Sequence, residues 1–257
     1  MSADAEAVMP GGSSGAHGEL AGQTVVVVGG SAGIGLETAR QVRAAGGDLV
    51  LVARNAERLR RAADELRPLS TAVLDAQDTG HLERFLAELP GRVDHVMVTA
   101  GGPSYTPLSE LDLTDAARDF GGRIAMMLAV ARAGREKVRA GGTLLFIGGT
   151  GGRRPAPGMA VMSAVTAALP ALTANLALEV APVRVNLIAA GFVDTPLSAT
   201  LLGDQLEARR EELRKTLPIG RVVGPADVAA LALHIMVNDA LTGATYDIDG
   251  GQQLLAH

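Results

Sequence analysis

One short run of residues in this chain has types and spacing suited to chemistry. Val28-Gly29-Gly30-Ser31-Ala32-Gly33-Ile34-Gly35 carries glycine in the pattern G-x-x-x-G-x-G. The run follows a valine-rich segment, Thr24–Val28, and opens a stretch with helical pattern, roughly Gly33–Ala45. Each glycine has its own physical reason. Gly29 permits a tight turn with positive φ. Gly33 lets the backbone approach a pyrophosphate with no Cβ in the way, and Gly35 lets the helix lie close against a sheet. The helix amino terminus then offers free N–H groups and the positive end of its dipole to phosphate. The plainer alternative is that the glycines only mark a turn. A turn that leaves a strand and opens a helix is the context a dinucleotide cradle requires, so a bound dinucleotide is the expectation.

The end of the second strand bears on which dinucleotide. An acidic residue there binds a free ribose 2′-hydroxyl. In Val52-Ala53-Arg54-Asn55 that place holds Ala53, and Arg54 follows. A guanidinium pairs with phosphate through two parallel bonds, which suits a 2′-phosphate, and Ser31 adds a hydroxyl. NADP(H) is therefore expected over NAD(H). The alternative for Arg54 is a charge that merely starts an exposed helix.

Other chemistries are excluded by composition. There is no Cys, hence no disulfide, thiolate-ligated metal or thiol nucleophile. The five His (His17, His81, His95, His234, His257) include no i, i+4 pair, and no metal site is expected. Aromatic residues are 2% and the formal charge is -5, which argues against nucleic acid. Residues 1–20 are acidic and rich in Gly, Ser and Ala, without the basic start and apolar core of a signal peptide. They read as a flexible tail before a domain at 21–257, in a cytoplasmic protein. The apolar runs read as too short or too interrupted to span a bilayer, which takes about 20 residues.

The elements that must position the turn alternate along the chain. Strands are expected at Thr24–Val28, Asp48–Ala53, Ser70–Leu74, Asp94–Thr99, Thr143–Ile147, Val183–Leu187 and Thr245–Ile248. Helices are expected at Ala56–Leu66, His81–Leu89, Asp112–Ala140 with a weak point at Gly121-Gly122, Met159–Val180 with a kink or break at Pro170, and Ala226–Met236. Nearly continuous apolar strands separated by helices imply an α/β fold. The expectation is a single Rossmann-like doubly wound domain, with a parallel sheet of about seven strands covered by helices on both faces.

At this point the chain resembles the short-chain dehydrogenase/reductase family, over essentially all of Leu20–Gln253. The glycine turn has that family's spacing. Asp75, followed by Ala76, stands after the third strand where the family's Asp touches the adenine ring. Thr99-Ala100-Gly101 resembles the family's Asn-Ala-Gly, and Ala190-Gly191-Phe192-Val193-Asp194-Thr195 resembles its Pro-Gly-x-x-x-Thr segment. Arg221, Gly224-Pro225-Ala226-Asp227, Thr242-Gly243 and Asp247-Ile248-Asp249-Gly250-Gly251 resemble its carboxyl-terminal signature. The resemblance implies cofactor contacts at Gly29, Ser31, Gly33, Ile34, Gly35, Arg54, Asn55, Asp75, Ala76, Ala100, Gly101, Gly191, Val193 and Thr195. It also implies hydride transfer to or from a carbonyl, and a homodimer or homotetramer.

The family's catalytic Asn, Ser, Tyr and Lys do not match. Counting from flanking landmarks, their positions hold Arg123 (Gly122 being the other alignment), Gly149, Met162 and Thr166. No Tyr or Lys occurs in Ser163–Val183, and the two tyrosines of the chain are Tyr105 and Tyr246. Arg123 is a candidate to stabilise an oxyanion or hold a carboxylate or phosphate; the alternative is a solvated or interface Arg. Tyr105 is a candidate substitute acid; the alternative is a packed surface residue. Arg153-Arg154 reads either as a lid for an anionic substrate or as a soluble loop. Three functions stay open: an NADP(H)-dependent oxidoreductase with non-standard catalytic residues, acting on a small carbonyl or alcohol; a catalytically inactive dinucleotide-binding sensor or partner protein; and non-redox chemistry in the vacated pocket.

Overall fold

Seven short runs rich in Val, Leu and Ile become strands because β-branched and aliphatic side chains fit a surface buried on both faces. They are β1 (Thr24–Val28), β2 (Asp48–Ala53), β3 (Ser70–Val73), β4 (Val93–Val98), β5 (Val138–Gly149), β6 (Arg184–Ala190) and β7 (Thr245–Ile248). Helices separate them: α1 (Gly33–Ala44), α2 (Ala56–Leu66), α3 (Thr79–Glu88), α4 (Leu113–Lys137), α5 (Ala160–Glu179), α6 (Pro196–Leu202), α7 (Leu206–Thr216) and α8 (Pro225–Val237). The fold is that of a computed structural model and is described for residues 18–255. All strand pairs are parallel, in the order β3-β2-β1-β4-β5-β6-β7. The chain starts in the middle of the sheet and reverses direction between β3 and β4. That reversal opens a crevice at the carboxyl ends of β1 and β4. The expected Rossmann-like seven-stranded fold is the fold observed.

The strand period of two assigns alternate residues to two cores. Val26 and Val28 join Val96, Val98, Met127, Val130 and Leu169 under α4 and α5. Val25 and Val27 join Ala39, Val42, Leu59, Ala62, Val228 and Ile235 under α1, α2 and α8.

Several boundaries differ from expectation. Leu20, assigned to the tail, is fully buried, and its N–H bonds Ala45 O at 3.0 Å; the expectation for residues 1–17 lies outside the described residues. α4 runs unbroken through Gly121-Gly122, and nothing lies within 4 Å of the space a Cβ would take at either glycine. Each glycine costs about 1 kcal/mol of helix propensity, and the buried stripe Met126, Met127, Val130 and Ala131 holds the helix regardless. α5 likewise continues through Pro170 rather than breaking there, although Pro170 has no N–H to give the Thr166 carbonyl. β5 starts five residues early, at Val138. α6 and α7 were not anticipated.

α5 also corrects the reading of apolar runs. It spans 20 residues with a mean hydropathy of 1.6, long and apolar enough by that measure to cross a bilayer, though 33% of the window is buried in this chain. Apart from Glu179 at its end, its polar residues, Ser163, Thr166, Thr173 and Asn175, are uncharged, so they interrupt the run little.

Candidate functional site

The glycine turn sits at the end of β1, and its geometry is set by contacts that no side chain would survive. Gly29 has φ +96°, and a Cβ there would fall 2.4 Å from Thr99 Oγ1. A Cβ on Gly35 would fall 2.3 Å from Gly29 O and 2.6 Å from Thr99 Oγ1, so this glycine holds α1 against the turn. Thr99 completes the joint: its hydroxyl lies 3.2 Å from Val28 O and 3.3 Å from Gly29 O, tying the end of β4 to the end of β1. Gly33 has φ +55°, with the Thr195 side chain 3.5 Å from where its Cβ would stand. The turn and the segment after β6 therefore face each other across the crevice.

The amides of this turn are open. Gly29 and Gly30 donate to Val52 O, but the N–H groups of Ser31, Ala32, Gly33, Ile34 and Gly35 donate to no acceptor among the described residues. Ala32, which caps α1, makes no side-chain cap bond. Five consecutive unmet donors at a helix amino terminus fit a pyrophosphate, because the dipole and the N–H directions both favour an anion there. A dinucleotide is thus compatible with the residues present.

The flanking residues line the same edge of the sheet. Arg54 is exposed at the end of β2 and forms no ion pair among the described residues. Asn55 caps α2, its side chain accepting from Arg58 N at 2.8 Å. Asp75 accepts from Gln77 N at 3.0 Å and fixes the bend beside buried Ala76. Gly191 admits no side chain, since its Cβ would lie 2.6 Å from Asp249 Cβ and Gln252 Oε1. Val193 is buried and bridges to Val223, and Thr195 caps α6 through a reciprocal bond with Ser198.

The opposite wall of the crevice is poor in proton-transfer groups. Gly149 ends β5, and its missing Cβ would sit 3.6 Å from Thr166 Cγ2, so these two positions are neighbours. Thr166 turns its hydroxyl inward, to Met162 O at 2.8 Å and Ser163 O at 3.2 Å. Ser163 bonds Gly151 O at 3.0 Å. Arg123, on α4, reaches the end of β4 and donates from Nη1 to Ala100 O at 3.0 Å. Burial pushes its pKa down, and no carboxylate counters that effect.

Tyr105 lies in the loop after β4, 54% exposed, and no hydrogen bond joins it to Arg123, Thr166 or the glycine turn. Burial of part of the ring raises its pKa, keeping the phenol protonated. Both arginines after β5 reach the carboxyl-terminal segment. Arg153 pairs with both carboxylate oxygens of Asp247 at 2.8 and 2.5 Å, and Arg154 donates to Gln252 O at 3.0 Å. They fasten this wall to the carboxyl-terminal segment. Sequence reasoning also missed Gln252, whose Oε1 accepts from Phe192 N at 3.0 Å and holds the segment after β6. No sequence signal marked it, because the contact spans 60 residues.

A cleft of about 410 Å³ opens beside the loop after β4, lined by Ser104, Thr106, Glu110, Asp115, Asp119 and Val161 among others. Among the described residues no group of three His, Asp or Glu is placed to hold a metal.

Known proteins share this architecture. Residues 28–253 match the family described as enoyl-(acyl carrier protein) reductase. The chain is 30% identical over 236 residues to a 3-oxoacyl-(acyl-carrier-protein) reductase of Bos taurus, covering 89% of this chain and 97% of that one. It superimposes on the MalC reductase/Diels-Alderase of Malbranchea aurantiaca with a TM-score of 0.85 at 25% identity, covering 93% and 99% of the two chains. It also superimposes on a short chain oxidoreductase of Pseudomonas aeruginosa PAO1, solved with NADPH bound and described as containing an atypical catalytic center. That match has a TM-score of 0.81 at 26% identity and covers 93% and 98%.

Proposed function

The chain belongs to the short-chain dehydrogenase/reductase family, and from that premise we propose that it is an NADP(H)-dependent oxidoreductase acting on a small carbonyl or alcohol without the family's usual catalytic side chains. The observation that carries the cofactor half is the row of five unmet backbone donors from Ser31 to Gly35. Unpaired Arg54, with Asn55 next to it in the chain, supports the 2′-phosphate. The NADPH-bound relative with an atypical centre is consistent with both halves of the reading.

When bound, the nicotinamide supplies or accepts hydride at the reacting carbon. The chain's own residues do the rest. The turn binds phosphate, Thr99 keeps β1 and β4 in register under it, and Gln252 holds Gly191–Thr195 against the other side. The four positions of the family's Asn, Ser, Tyr and Lys hold Arg123, Gly149, Met162 and Thr166. None of them exchanges a proton near neutral pH: Met162 has none to give, and Arg123 is permanently charged. Loss of general acid–base help typically forfeits about 10²–10⁴ in rate and leaves the rest. Arg123 is the group suited to stabilise negative charge, and Tyr105 is the protonated phenol nearest in sequence.

The test is NADPH oxidation with a panel of carbonyl and quinone acceptors. Steady turnover is expected, abolished by Gly33→Asp; Asp tolerates this φ but sets a carboxylate against phosphate. Cofactor binding with no turnover on the panel favours the second reading, a dinucleotide-binding sensor or partner protein, which the absence of a proton donor among Gly149, Met162 and Thr166 supports. A homodimer or homotetramer is part of the proposal. α5 leaves Leu178 80% exposed near its carboxyl end. Light scattering is expected to give a multiple of the chain mass, and Leu178→Asp to shift it toward monomer.

A further inference from the structure

Arg123, like Arg154 with its one bond to Gln252 O, differs from the arginines whose donors are taken up inside the fold. Arg184 donates to five backbone carbonyls, including Ile235 O and Met236 O at the end of α8. Arg210 pairs with Asp194 at 2.7 Å, and Arg153 with Asp247. Arg123 has one bond, to Ala100 O. A guanidinium carries five N–H donors, so the remaining four meet no acceptor among the described residues. Asp119 lies one turn earlier on α4, at the spacing where an ion pair is usual, yet it exerts no pull on Arg123.

The guanidinium is seated by the backbone. A Cβ on Gly101 would come within 2.9 Å of Nη2 and 3.1 Å of Cζ. Gly101 has φ +95°, a conformation that L side chains rarely adopt. Glycine there leaves bare backbone for the planar group to lie against, at the strand end where ligands of such sheets bind. Gly149, Met162 and Thr166 bring no charge. A cation that is half buried without a countercharge is costly. The protein tolerates that cost at a place where an occupant can supply the charge.

The geometry points to Arg123 as the receptor for a carboxylate on the substrate, so that oxo acids and the corresponding hydroxy acids, rather than neutral ketones and alcohols, are the substrate class. This rests on the reading that the dinucleotide lies in the same crevice. The planar fork accepts both carboxylate oxygens through two parallel bonds, which one bond to Ala100 leaves free to form. The nearby cleft, with Glu110, Asp112, Asp115 and Asp119 on its wall, is the wrong sign for such a ligand.

The test separates this inference from the cofactor reading. Phenylglyoxylate and its neutral amide are titrated by calorimetry into the protein saturated with NADPH. The acid is expected to bind at least about tenfold more tightly than the amide, as a charge-assisted paired contact does. Arg123→Gln is expected to bring the two within about twofold, and Arg123→Lys, which keeps the charge but not the fork, to fall between. Should Arg123→Gln fail to fold by circular dichroism, the Lys variant alone must lower the preference at least about threefold. Equal binding of acid and amide to the wild type, no measurable binding of the acid, or an unchanged preference in the variants overturns the inference. If NADPH itself does not bind, the cofactor reading fails separately, and the same preference must then appear in the free protein.

Discussion

The two lips of the crevice are built by different means. On the β1 side the function is carried by backbone: glycines at fixed φ, five open amides and a threonine that locks two strands together. On the β5 side Gly149 stands against Thr166, and under the proposed reading it is the side chains there, not the backbone, that carry no proton-transfer chemistry. The difference teaches that the fold fixes positions and leaves chemistry to the residues that fill them. A phosphate cradle made of main chain is part of the fold itself. A catalytic wall made of side chains is not.

The largest effect is expected from refilling the wall. If its backbone is in place, Gly149→Ser with Met162→Tyr and Thr166→Lys restores the acid and its supporting cation. Turnover of a simple ketone should then rise by about 10²–10⁴. A folded triple variant that binds NADPH and shows no gain would break the comparison, because the wall would then be misplaced as well as emptied.

Next comes pH, which separates site from fold. No group in the wall titrates near neutrality, so kcat/KM should stay flat from about pH 6 to 9. The acid limit belongs instead to the opposite, amino-terminal ends of the strands. His95 is fully buried on β4, with Nε2 2.8 Å from Gln23 Oε1 and Nδ1 without a partner. Burial, against the opposing pull of the Asp94 carboxylate and with smaller pressure from Arg184 and Arg139, lowers its pKa from 6.5 to about 3. The folded state thus resists a proton that the unfolded state takes up. Stability from this group is full above pH 6.5 and is lost as pH falls toward 3. Thermal melts should show a loss on the order of 3 kcal/mol between pH 6.5 and 4, with a shallower slope in His95→Gln. An unchanged slope would remove His95 from the account.

A smaller effect sharpens the cradle. Arg54→Ala should weaken NADPH by about ten- to hundredfold and leave NADH within about twofold, since a hydrogen bond to a charged group contributes about 1.5–3 kcal/mol. Equal loss for both cofactors would mean that Arg54 does not read the 2′-phosphate.

Much of this was legible because local signals and tertiary context agreed. α2 and β7 have the expected bounds, since capping by Asn55 and alternation along a short strand are local facts. The glycine turn was legible because Gly29 and Gly35 answer to steric limits that admit no side chain. The failures have tertiary causes. Gly121-Gly122 and Pro170 break helices in isolation but not when a buried stripe is packed on a sheet. α6 and α7 were missed because α6 has only seven residues with Ser198 alone buried, and α7 buries only Leu213, so neither shows a buried apolar period. Arg153, Arg154 and Gln252 read as free or unremarkable because their partners lie 60 to 98 residues away in sequence. Leu20 was lost to a tail by the composition around it, although its side chain closes the core beneath α1.

The central claim is that the cradle still binds a dinucleotide carrying a 2′-phosphate. Calorimetric titration of the purified protein with NADPH and, in parallel, NADH tests it most directly. The account predicts micromolar binding of NADPH with NADH at least about tenfold weaker. No binding of either, or equal binding of both, would contradict it.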